Sequence, residues 1–94
     1  MDRAELSALG LALAEDLETE ADNYHPKSDK NDILRYESAG ILGMANHLVS
    51  DSGGRYKAMD STLLSDWGKV LIDEIPELIV RVRQFRDLYS HILC

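Results

Sequence analysis

Leucine returns every third or fourth residue along the start of the chain, at Leu6, Leu9, Leu13 and Leu17, and Ala21 continues the series. That spacing lays one apolar stripe along a helix and does not suit a strand, whose inward side chains alternate. The rhythm resumes twice. Ile33, Leu34, Ile41, Leu42, Met44, Leu48 and Val49 carry it through the middle of the chain. Leu64, Trp67, Leu71, Ile75, Leu78, Val82, Phe85, Tyr89 and Ile92 carry it from Ser61 to the end. No alternating pattern of useful length, internal repeat or low-complexity tract interrupts it. The expected fold is all-α, a helical bundle of three to four helices in one domain over residues 1–94.

Two breaks separate the periodic segments. His25, Pro26, Lys27, Ser28 and Asp29 form the first, because proline disfavours helix in the residue before it. Asp51, Ser52, Gly53 and Gly54 form the second, with glycine where a helix end often turns left-handed. The first helix is expected from Asp2 to about Asn23, with Asp2 and Glu5 as a capping pair. The second runs from about Asn31 to Val49. Its Gly40 and Gly43 each cost roughly 1 kcal/mol relative to alanine. With Ser38, Ala39 and Ala45 they make a small-residue surface, open to close approach by another backbone or simply tolerated. Arg55 to Asp60 reads as irregular and the chain as helical again from Ser61. Pro76 either starts a new helix or kinks a long one.

Ninety-four residues give a modest core, so pairing with a second copy would help bury apolar surface. No apolar run reaches the roughly 18 to 20 residues that span a bilayer, and MDRAELSALG lacks the pattern of a signal peptide. A cytoplasmic protein is expected. Cys94, the only cysteine, reads as an inert terminal thiol. The net charge of −7 is uneven: residues 1–24 hold seven acids against Arg3, while 25–60 hold five cations against five acids. Such a chain is a poor general binder of nucleic acid, so any RNA contact must be local. Glu15, Asp16, Glu18, Glu20 and Asp22 share the polar side of the first segment. They could bind a cation or imitate a nucleic-acid backbone, although a solvated face is the ordinary meaning of such a run. Asp22 with His25, or Asp87 with His91, offers two metal ligands but no third, and His47 stands apart. Neither a metal nor a cofactor is expected. Trp67 and Tyr89 read as core or interface residues.

One stretch carries a resemblance. Ile41 to Ser52, ILGMANHLVSDS, resembles a helix of the HEPN ribonuclease toxins, HepT-like branch, which reads approximately I-x-G-x-R-N-x-x-V-H-x-Y. Ile41, Gly43, Asn46 and Val49 match. Ala45 stands in the arginine position, Ser50 in the histidine position and Ser52 in the tyrosine position. Trp67 followed by Ile75, Pro76, Glu77 and Leu78 extends the similarity, which covers roughly residues 31–83. The resemblance implies a helical homodimer from a toxin–antitoxin pair, with a metal-independent endoribonuclease cleft formed across the two-fold axis. It also implies a nucleotidyltransferase antitoxin that transfers AMP to the tyrosine.

The chemistry explains why the two missing residues matter. Histidine can exchange a proton with the ribose 2′-hydroxyl or the leaving oxygen near neutral pH, and arginine can hold the phosphate in a fork. Alanine and serine do neither, and loss of a general acid or base alone removes about two to four orders of magnitude of rate. The expectation at Ala45, Asn46 and Ser50 is therefore an inactive site, with modification at Ser52 lost as well. A second literal fit to the arginine-to-histidine spacing, Arg86-Asp87-x-x-x-His91, lies three residues from the end. The alternative from another class is a small acidic interaction protein, such as a phage-type inhibitor of a nucleic-acid machine, acting through the acidic first helix.

Overall fold

The computed structural model describes residues 1–50 and 60–93. Among these residues three α-helices make the bundle: α1 (Arg3–Ala21), α2 (Asp29–Leu48) and α3 (Pro76–Leu93). A 3₁₀ turn, Trp67–Leu71, lies in the connection that leads to α3. Among the described residues there is no strand, as the periodicity requires. No helix among them is long and apolar enough to cross a membrane.

The helix ends form where local chemistry supplies partners. Asp2 caps α1, its Oδ1 accepting from the Glu5 amide at 2.8 Å. Ser28 caps α2, its Oγ accepting from the Asn31 amide at 3.2 Å. Asn31, itself buried, donates through Nδ2 to the Ala21 carbonyl at 2.9 Å, which also accepts from the Tyr24 amide at 3.0 Å, and so helps to close the end of α1. Arg3 donates through Nε to the Leu48 carbonyl at 2.9 Å, closing the far end of α2 in the same way.

The α1/α2 hairpin is sewn by small residues. Ser7 Oγ donates to the Ala45 carbonyl and Ser38 Oγ to the Ala14 carbonyl, both at 2.7 Å, so the two antiparallel helices approach backbone to backbone. Gly10 lies in the same seam under α3. A β-carbon there would stand 2.6 Å from Phe85 Cε2 and 2.9 Å from the Ala45 β-carbon, so the three helices meet at a point that only glycine permits. Leu6, Leu13, Leu17, Ile33, Leu34, Ile41, Met44, Val82, Phe85 and Tyr89 fill the space between the helices.

The structure departs from the sequence pattern at several places. Helix does not resume at Ser61. The chain first makes turns over residues 62–66, and Leu63, not Leu64, is the fully buried side chain. Gly68 folds back onto Leu63 so closely that a β-carbon would overlap its carbonyl oxygen at 2.0 Å, a geometry no continuous helix has. Pro76 opens α3 as its first residue, where its missing amide hydrogen costs nothing. Trp67 is exposed and leans on Tyr36 of α2, ring centroids 6.1 Å apart, while Tyr89 is core. Leu9, Leu42 and Val49, read as members of apolar stripes, are also exposed.

Candidate functional site

The residues that carry the resemblance take very different positions along α2 and just beyond its end. Ala45 is 0 % exposed, its carbonyl taken by Ser7 and its β-carbon facing Gly10. Asn46 and Ser50 are exposed, and Ser52, with Asp51, Gly53, Gly54 and Cys94, lies outside the described residues. Position 45 is thus a point of helix contact, and Asn46 and Ser50 look away from it. An arginine there would have to displace α1 or α3 before reaching solvent.

Arg86, the first member of the other spacing, has a structural partner. Its Nη2 donates to Glu37 Oε2 at 2.6 Å, and the Glu37 side chain is completely buried. The other carboxylate oxygen of Glu37 accepts from the Leu63 amide at 3.0 Å and from Ser61 Oγ. One carboxylate therefore ties α2 to α3 and to the start of the connection. Arginine can satisfy such a partner through its fixed fork while its stem stays packed. His91 is exposed on the last turns of α3.

The polar side of α1 is partly neutralised within the fold. Arg81 Nη1 donates to Asp16 Oδ2 at 2.7 Å, and Arg35 Nη2 to Asp22 Oδ1 at 2.9 Å. At the turn between α1 and α2, Glu74 receives the Tyr24 hydroxyl at 2.8 Å and the Lys30 ammonium. These bonds hold the Glu74 carboxyl below its ordinary range, that from Lys30 foremost. Burial, and then the bond to Glu74, pushes the Tyr24 phenol up to about 12. Among the described residues no three His, Cys, Asp or Glu side chains gather to hold a metal ion.

Besides the exposed Tyr36 and Trp67, apolar side chains of the described residues gather at the surface in two places that include α1. Between α1 and α3, a cleft of about 150 Å³ is floored by Leu6, Leu13 and Phe85 and flanked by Leu9 and Leu88. The second place is the outer side of the α1/α2 seam, away from α3. Leu11 lies four residues after Ser7 and three before Ala14, and Leu42 stands in the same relation to Ser38 and Ala45, so both border the seam. They are 43 % and 42 % exposed, and Val49, seven residues beyond Leu42 on the same row, is 56 % exposed. The Arg35–Asp22 bond crosses the seam on these same two rows.

Comparison with protein-family models, with curated proteins and with solved structures finds no match.

Sequence reasoning passed over Glu37, although the signal was there: Leu34, Glu37, Ile41, Met44 and Leu48 keep the three- and four-residue steps, with a charge inside an apolar stripe. Gly10, the glycine that sets the helix approach, carried no such signal. Its role depends on the position of Phe85, seventy-five residues away.

Proposed function

We propose that this chain acts by association and not by cleaving RNA. The observation that carries the reading is the burial of position 45 in the seam of α1, α2 and α3. In the HepT-like pattern this position supplies an arginine to a cleft; here it supplies a methyl group to a helix contact. Under this reading the chain is a HEPN-like helical protein of toxin–antitoxin ancestry that keeps the scaffold and lacks the nucleolytic pair. Its partners are a second copy or a companion protein, the nucleotidyltransferase antitoxin being the one that the resemblance implies.

The acidic interaction protein is the second reading, and one observation favours it. Glu15 and Glu18 are exposed on the outer side of α1, beside the row that holds Leu11. Asp16 and Asp22, by contrast, are engaged by arginines of the same chain, which narrows the acidic face. Both readings share the absence of catalysis.

The test is direct. Purified protein incubated with structured and single-stranded RNA, with a chelator present, is expected to release no fragments above the buffer control. Cleavage that disappears on His91→Ala would overturn the proposal and move the site to the end of α3.

A further inference from the structure

The α1/α2 hairpin is covered on one side by α3 and the connection before it. Its other side presents Leu11, Leu42 and Val49 beside a seam made of Ser7, Ala14, Ser38 and Ala45. Leu42 and Val49, seven residues apart, stand about 10.5 Å apart along the axis and nearly in line. Leu11 faces Leu42 across the seam and Val49 lies beside the start of α1, so together they edge a shallow furrow between the two helices. A helix fits such a furrow through apolar anchors at three- and four-residue steps.

The charge beside the furrow selects the kind of helix. Toward the Arg35–Asp22 end, α1 carries Glu15 and Glu18, and Asp32 lies on the outer side of α2. Arg35 is the cation on these rows, and it is already bonded to Asp22 and Asn31. A second copy would bring the same carboxylates to this face. A partner with lysines or arginines flanking its apolar stripe would meet them with opposite charge, which aids encounter and fixes register. Resting on the association reading, we infer that the outer α1/α2 face docks a basic amphipathic helix from a partner protein. The apolar row grips its stripe, and Glu15 and Glu18 meet its cations.

A synthetic amphipathic helix of leucine and lysine, labelled for fluorescence anisotropy, tests this with the full chain. It should bind saturably. Leu42→Ser with Val49→Ser, which leaves the net charge unchanged, should weaken binding about tenfold or more, and Leu11→Ser on the facing helix should also weaken it. Glu15→Lys with Glu18→Lys should weaken it similarly and flatten its salt dependence. Reversing Glu77 and Asp87, exposed on α3, should leave affinity within about twofold, the scale of a distant surface charge. Circular dichroism confirms that each variant is folded.

No binding by the parent chain overturns the inference, as does equal binding by the serine variants or equal loss from the α3 reversals. A dimer in light scattering that Leu42→Ser with Val49→Ser dissociates also overturns it, by giving the face to a second copy. RNA cleavage by the chain would instead defeat the association reading beneath it, so the two failures are distinguishable.

Discussion

Tyr24 shows how a single side chain ties two distant parts of the chain together and leaves a pH signature. Its hydroxyl reaches Glu74 across fifty residues, and Lys30 sits over its ring at 5.6 Å while bonding the same carboxylate. The phenol is raised from 10.0 to about 12, first by burial and then by that bond. A group raised on folding stabilises the fold fully below its unfolded value and loses that contribution as pH rises through the folded one. Tyr24 should therefore support stability up to about pH 10 and lose its contribution toward pH 12. Glu74, held low, works at the other end. Its contribution is present above the ordinary value of 4.5 and fades as pH falls through the lower folded value. Urea denaturation of the parent and Tyr24→Phe should show a stability difference that shrinks between pH 10 and 12; a constant difference would mean that the phenol is not raised on folding. No sequence pattern announced this cluster, because a tyrosine, a lysine and a glutamate on three separate segments become neighbours only after the chain has folded.

At the scale of elements, the buried Glu37–Arg86 pair decides how α2, α3 and the connection sit together. Its carboxylate holds Arg86, Ser61 and the Leu63 amide at once, so removing the cation leaves a buried charge with only neutral donors. Breaking a buried pair from one side typically costs about 3 to 5 kcal/mol. Arg86→Met should therefore destabilise the fold on that scale, whereas Glu37→Leu with Arg86→Met, which removes both charges, should recover part of the loss. Denaturation midpoints of the single and double variants measure this, and a double variant no better than the single would show that the pair is not the source. Helix existence and approximate limits were legible because apolar spacing and caps are local: Asp2 with Glu5 and the break at Pro26 stand where the structure has them. The turns before α3 were not. Leu64, Trp67 and Leu71 keep helical spacing by coincidence, while the tight fold of Gly68 on Leu63 and the reach of Glu37 to Ser61 are tertiary.

For the molecule as a whole, the bundle shows what surrounds each residue of the stretch from Ile41 to Ser50. Gly43, Asn46 and Val49 lie on the open side of α2, and Ala45 lies on the closed side, where Ser7, Gly10 and Phe85 bring three helices together. Sequence alone singled out Ala45 without its surroundings, because the face of a helix that meets a neighbour is fixed by the other helices. It likewise grouped Leu42 and Val49 with the core, although they border the outer seam. The association reading requires the seam to be closed at Ala45. Chemical denaturation of Ala45→Arg measures that most directly. An arginine with no room and no partner there should cost about 3 kcal/mol or more. A variant as stable as the parent would place the side chain in an open cleft and contradict the account.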